Sequence, residues 1–226
     1  MAQELGKIER PSAASFEGSR KLFFVPLVYS PAEPPADYVG MLERYWMGAR
    51  NQLRRLTERT GPLAHVYHEG VTAEGEAGKV LIEQINPRSQ TLLDEFIQAG
   101  AKIEAFEDLE TFSEMIDWQR CLMSGLTSRK VMETAMTGYR DALKRRTDLM
   151  IQNIEQTLQP GESGVLLLPE NHGLQFPREI QVFYIAPPAL DEIHRWERDQ
   201  SEKARQAQAG QASGETAEAG PERTES

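Results

Sequence analysis

A chain of 226 residues with 39% apolar and 27% charged side chains carries enough hydrophobic material for one buried core and suits a single domain. Its net charge of −10 opposes a phosphate backbone, and since residues 199–226 hold six acids against three bases, −7 belongs to the rest of the chain. A single cysteine excludes an internal disulfide and a multi-thiolate zinc site, and no apolar run reaches the ~18 residues of a membrane span or the core of a signal peptide; the expectation is a cytoplasmic protein that binds neither nucleic acid nor membrane.

Residues 1–19 mix small, polar and charged types without periodicity and read as a flexible N-terminal arm. The run Lys21–Val28 places bulky apolar residues on both faces, as in a central strand covered by helices on both sides, although Pro26 removes one ladder donor. After the turn at Ser30–Pro35, the three- and four-residue spacing of Val39, Leu42, Tyr45, Trp46, Ala49, Leu53 and Leu56 predicts a helix over Tyr38–Thr60, stopped by Gly61-Pro62. Leu63–Tyr67 is a short second strand. Helical stretches around Lys79–Ile85 and Gln90–Ala99 follow, divided near Pro87, and Lys102–Phe106 is a third strand.

Two further helices are predicted at Leu109–Leu122 and Arg129–Leu158. Cys121, beside Trp118 and Leu122, reads as a small buried core residue. The turn Pro160–Gly164 introduces a fourth strand at Val165–Leu168. Glu179–Ile185 alternates and fits an edge strand, Leu190–Arg205 fits a last, polar helix, and from Gln206 onward the composition is that of disorder. The expected fold is α/β, with a short, mainly parallel sheet and helices on both faces over residues 20–198, and a polar, acidic, disordered tail over residues 199–226.

Four strand candidates stop at residues capable of chemistry. They run into Tyr29, into His68-Glu69-Gly70, into Glu107-Asp108, and into Pro169-Glu170-Asn171-His172-Gly173. In a parallel sheet these groups converge on the carboxyl edge, where open α/β folds bind ligands. His172 lies just past a strand end and is the candidate acid/base or metal ligand. Alternation along the second strand puts His65, Tyr67 and Glu69 on one side and His68 on the other. His68, Glu69 and His172 contain the residue types of a two-histidine, one-carboxylate metal set, without the spacing of a compact metal motif. Glu107, Asp108 and Glu110 crowd a helix start, where acids either complement the helix dipole or divide into an acid and a base.

Arg146 is the anomaly of the long helix. Its apolar stripe runs through Met132, Met136, Tyr139, Leu143, Met150, Ile154 and Leu158, and Arg146 falls on the stripe. A guanidinium there either snorkels to water or enters the site to hold Glu107, Glu69 or an anionic ligand. The chain lacks a Gly-x-Ser-x-Gly elbow, a Walker loop and a Gly-x-Gly-x-x-Gly turn, which argues against a standard serine hydrolase, P-loop enzyme or Rossmann dehydrogenase.

The segments RKLFFVPLVYSP, LAHVYHEGV, GAKIEAFEDLE, RRTDLMIQNIEQTLQPGESGVLLLPENHG and PREIQV resemble a family of uncharacterised bacterial proteins over residues 20–186. More faintly, their order resembles the TraB/GumN and ChaN-like group. The resemblance implies a histidine after the first strand, where this chain has Tyr29. It further implies an acid-Gly pair (Glu69-Gly70), Glu107-Asp108, an Arg-Arg-x-Asp helix segment (Arg145, Arg146, Asp148) and a late-strand histidine (His172). It also implies a metal-dependent hydrolase, which some members of that group resemble.

Two functional expectations follow. One is a metal-assisted, hydrolase-like site acting on a small molecule or peptide, with His172, Glu69, Glu107 and Arg146 as its residues and a divalent metal as the cofactor to test. The other is a non-catalytic regulatory or scaffolding domain that keeps a degenerate pocket, favoured by Tyr29 standing in place of histidine. The oligomeric state is left open.

Overall fold

In the computed structural model of the chain, residues 18–218 are described, with side chains as far as Gln206. Most of the predicted N-terminal arm and the last eight residues of the tail lie outside the described residues. The elements are β1 (Arg20–Pro26), α1 (Ala36–Thr60), β2 (His65–His68), α2 (Gly75–Ile85), α3 (Pro87–Gln98), β3 (Lys102–Ile103), α4 (Leu109–Met123), α5 (Arg129–Thr157), β4 (Ser163–Leu168), β5 (Ile180–Tyr184) and α6 (Pro188–Glu218). The strands form one sheet in the order β3-β2-β4-β1-β5, every pairing parallel. The α/β expectation is therefore met.

The chain divides into two compact units, one made of residues up to Tyr29 with Ala49–Ala186, the other of Ser30–Gly48 with the chain from Pro187 onward. The first contains the whole sheet. β1 and β4 are buried along almost their full length, which is why both read as continuous apolar runs rather than alternating ones. On one face Leu22, Phe24, Tyr67, Leu166 and Leu168 pack with Met150, Ile154 and Leu158 of α5. The other face presents Phe23, Val25, Val66, Val165 and Leu167, all fully buried, and there His68 meets Ser89 of α3. Helices thus cover both faces, as a parallel sheet requires.

Pro26 finds a place that needs no donor. Leu27 N–H donates to Leu168 at 2.8 Å on the β4 side, so the missing donor of Pro26 faces the β5 side. The β1–β5 register ends at Phe24 and Tyr184, short of that position. β5 is the predicted edge strand, and its alternation survives as half-exposed Val182 and Tyr184.

The second unit pairs the first half of α1 with α6. Tyr38 packs on Trp196 with ring centroids 4.5 Å apart, and Trp196 Nε1–H donates to Asp37 at 3.1 Å. Gly48 admits the close approach of Pro187, whose Cβ would stand 2.7 Å from any added side chain. α6 continues in helical backbone to Glu218, through part of the predicted tail. From Glu197 to Gln206 every side chain on it is exposed, so this stretch adds no core.

Two local expectations are corrected. Cys121 is exposed rather than buried, because α4 buries only Thr111 and Met115 and nothing among the described residues covers the turn that carries the thiol. The apolar stripe of α5 is a core face only from Met150 onward. Met132 and Met136 are 42% and 39% exposed, because this part of α5 pairs with α4 through small residues such as Ala135. No helix among the described residues is long and apolar enough to cross a membrane.

Candidate functional site

The strand order places the loops after β1 and β4 side by side although the chain leaves them in opposite directions, toward β2 and toward β5. Such a reversal opens a crevice at the carboxyl ends of parallel strands. A cleft of about 830 Å³ lies there, lined by Tyr29, Glu69, Arg146 and His172, among others. Four of the five positions singled out from the sequence thus share one cavity wall, and Glu107 lies directly behind Arg146.

Arg146 enters the site instead of snorkelling. From α5 its Nε–H donates to Glu107 Oε2 at 2.8 Å and its Nη2 to Glu69 Oε1 at 3.0 Å, with a second close contact between Nη2 and Glu107 Oε1. The Glu107 side chain has 0% exposure and that of Arg146 12%. Burial opposes the guanidinium charge, but the hydrogen bonds and charges of Glu107 and Glu69 outweigh it and raise the Arg146 pKa. The planar group sits over the Phe112 ring, 5.2 Å from its centroid, and Nη1 lies 3.7 Å from Met115 Sδ.

Glu107 does more than receive the arginine. It also accepts the Gly70 N–H at 3.2 Å, while its own N–H donates to Val71 O at 2.9 Å. One carboxylate therefore ties the loops after β2 and β3 to α5. Gly70 makes that geometry available, since its φ of +75° is left-handed and an added Cβ would stand 2.9 Å from Ile85 Cδ1. The three acids at this helix start have separate tasks. Glu107 is the buried anchor, Asp108 is the N-cap accepting Thr111 N–H at 2.8 Å, and Glu110 is left in the first turn to complement the dipole.

Tyr29 closes the cluster. Its ring is 44% exposed, but the hydroxyl turns inward and donates to Glu69 Oε2 at 2.8 Å. Desolvation, then the charge and hydrogen bond of Glu69, push the phenol far above its ordinary pKa, so the proton stays on Tyr29. Both Glu69 oxygens consequently have donors, one from Arg146 and one from Tyr29.

His172 stands apart. Its Nδ1 accepts the Leu174 N–H at 2.9 Å, and the ring packs edge-on against Phe24 with centroids 4.9 Å apart. Burial holds its pKa below the usual histidine value, opposed by the charge of Glu69. The ring is then neutral near pH 7, and the one lone pair a neutral imidazole offers is already used by the backbone. Its proton is on Nε2. His172 is set up to donate a hydrogen bond from Nε2 rather than to abstract a proton, the acid side of the acid/base expectation.

The metal set anticipated from His68, Glu69 and His172 does not assemble. His68 lies on the opposite sheet face, fully buried, with Nδ1–H donating to Glu69 O at 2.7 Å and Nε2 2.9 Å from Ser89 Oγ. Burial lowers its pKa to about 4, and it serves as a neutral core histidine. Glu69 and Glu107 are occupied by Arg146, and no group of three or more metal-ligating side chains occurs among the described residues. The donor set fits hydrogen bonding, not a metal ion.

Two features escaped the sequence reading. Phe112 and Met115, three apart on α4, flank the guanidinium. At the amino-terminal end of β2, His65 is held by two carboxylates, Glu104 at 2.6 Å on Nδ1 and Glu162 at 3.1 Å on Nε2. The first had a signal in the apolar spacing just after Glu107-Asp108, whereas the second depends on residues far apart in the chain. No family model, curated protein or solved structure matches the chain.

Proposed function

We propose that this chain is a non-catalytic, small-molecule-binding α/β domain with a regulatory or scaffolding role, using the strand-end cleft as its ligand pocket. The observation that carries this reading is the closure of the Tyr29–Glu69–Arg146–Glu107 network. Each side chain a hydrolytic mechanism needs free is held by another. A nucleophilic carboxylate must be free to swing onto the reacting atom, and a histidine base must offer a lone pair. Here Glu107 is sealed, Glu69 is anchored at both oxygens, His172 offers a proton instead of a lone pair, and what remains is a roomy cleft with polar groups at one end. Its volume is of the size that accommodates ligands of roughly 300–1,000 Å³ pockets. This is the form expected of a pocket whose first-strand histidine has become Tyr29, within the kinship that the TraB/GumN and ChaN-like resemblance suggests. A cytoplasmic location belongs to the same proposal.

A second reading, a hydrolase-like activity on a small molecule or peptide, draws on Glu69 and His172 facing the same cleft. Amide-resolved NMR of the full chain during titration with a small-molecule library separates the two. The binding reading expects saturable shifts at Gly70, Phe112 and Leu174 with every ligand recovered unchanged. Turnover that disappears in folded Glu69→Gln and His172→Ala variants would overturn it.

A further inference from the structure

We propose that the cleft selects an amphipathic amine, a molecule with an apolar body and a protonated amino group that donates to Glu69. The inference rests on the ligand-binding reading and names the chemistry of its ligand. Glu69 and Glu107 bring two carboxylates against the single guanidinium of Arg146, so the network carries one formal negative charge in excess. The two acids are not equivalent in access. The Glu107 side chain is sealed at 0% exposure, whereas that of Glu69 retains 18%, and Glu69 lines the cleft while Glu107 does not.

Each Glu69 oxygen accepts one hydrogen bond, from Arg146 at 3.0 Å and from Tyr29 at 2.8 Å. A carboxylate oxygen has two acceptor positions, so each retains capacity for a donor from the cleft. Arg146 has little left to offer an anion. Its Nε and Nη2 are committed to the carboxylates, and Nη1 is packed against Met115 Sδ. Of the other ionic groups on the wall, Lys144 is paired with Asp148 at 2.8 Å and both are largely exposed, as is Arg140, so water screens them at the rim.

The remaining wall sets the body of the ligand. Leu81 and Ile85 of α2, Phe112 and Ile116 of α4 and Leu143 of α5 give an apolar surface leading to the polar end. An ammonium brought against a carboxylate there makes a charge-assisted hydrogen bond in a partly water-excluded setting. A carboxylate-bearing ligand would face the excess negative charge with no uncommitted cation beneath it. An uncharged alcohol would gain the apolar contact and a hydrogen bond to Glu69 without the charge on the donor.

Calorimetric titration of the full chain with phenylbutylamine, phenylbutanol and phenylbutyrate tests this. The amine is expected to bind at least about tenfold tighter than the alcohol, and the carboxylate more weakly than either. In Glu69→Gln the amine's advantage over the alcohol should vanish, the amine losing far more affinity than the alcohol. Tyr29→Phe, at an exposed ring, releases one Glu69 oxygen and should strengthen amine binding severalfold and widen its advantage over the alcohol, which keeps the test available if the Glu69 variant does not fold. Equal binding of amine and alcohol, or a preference for the carboxylate, overturns the amine assignment and leaves the ligand-binding reading standing. Failure of all three to bind overturns both.

Discussion

Glu107 is the residue on which the site's stability turns. Its carboxylate has no exposure and is compensated by Arg146 and the Gly70 N–H. Removing one partner of a buried pair leaves the other charge without compensation, and this costs more than the pair itself contributes. Arg146→Met, which keeps length and apolar packing, should therefore lower unfolding stability by about 3–5 kcal/mol in urea denaturation. Adding Glu107→Leu should recover much of that loss, because the sealed charge is then gone and Glu69, which reaches the cleft, is the carboxylate that remains; a double-mutant cycle measures the coupling. A cost below about 1 kcal/mol for Arg146→Met would mean the pair is solvated. His172 gives a second test at this scale. Burial lowers its pKa and the Glu69 charge raises it, so the titration followed by NMR should lie below that of a free histidine and fall further in Glu69→Gln.

The α4–α5 hairpin is the element that forms the cleft's outer wall, and its ends are fixed by local chemistry. Asp108 caps α4 through Thr111 N–H, so Asp108→Ala should cost about 1 kcal/mol in thermal or chemical unfolding, while Glu110→Ala, which loses only a dipole contact, should cost less. A third of the way along α5, Gly138 lies under the Trp118 indole with no room for a Cβ. Alanine is the better helix former by up to about 1 kcal/mol. Gly138→Ala should nonetheless destabilise the hairpin, by about 1–3 kcal/mol, because overpacking against a rigid ring exceeds that gain. Helix existence was legible in this region from spacing, but which face is buried was not. The stripe from Met132 to Leu143 has the right period for a core face, yet periodicity records which residues share a side and not what is opposite that side. Cys121 misleads for the same reason.

At the scale of the whole molecule, much of the architecture was legible because parallel strands are written as apolar runs that stop at their carboxyl ends. Tyr29, Glu69, Glu107 and His172 converge by topology; the alternation of His65, Tyr67 and Glu69 against His68 was legible too, although His68 was still expected in the metal set. Which contacts close through space was less legible: the pairing of Arg146 with Glu107 and Glu69 stood as one of two alternatives, and that of His65 had no signal. Arg146 reaches Glu107 and Glu69 from 39 and 77 residues away, and His65 meets Glu104 and Glu162 at separations of 39 and 97. Those contacts give the protein two histidines whose protonation acts on stability in opposite senses.

His68 is buried and neutral, with its pKa lowered from 6.5 to about 4 chiefly by desolvation. Below pH 6.5 the unfolded chain takes up a proton that the folded one refuses, so this contribution is present above 6.5 and lost as pH falls toward 4. The shift corresponds to roughly 3 kcal/mol. His65 has the reverse sense. The hydrogen bond its Nδ1–H donates to Glu104, opposed by burial and helped by Glu162, raises its pKa above 6.5. Its contribution is complete below 6.5 and disappears as pH rises through the folded value. Unfolding free energies measured by urea denaturation across pH 4–9 should therefore show losses on both sides of a near-neutral maximum. His65→Gln should flatten the alkaline side and leave the acid side in place. It should also cost about 1–2 kcal/mol near neutrality through the two hydrogen bonds to carboxylates. An alkaline limb unchanged by this substitution would show that the two carboxylates do not hold His65 protonated.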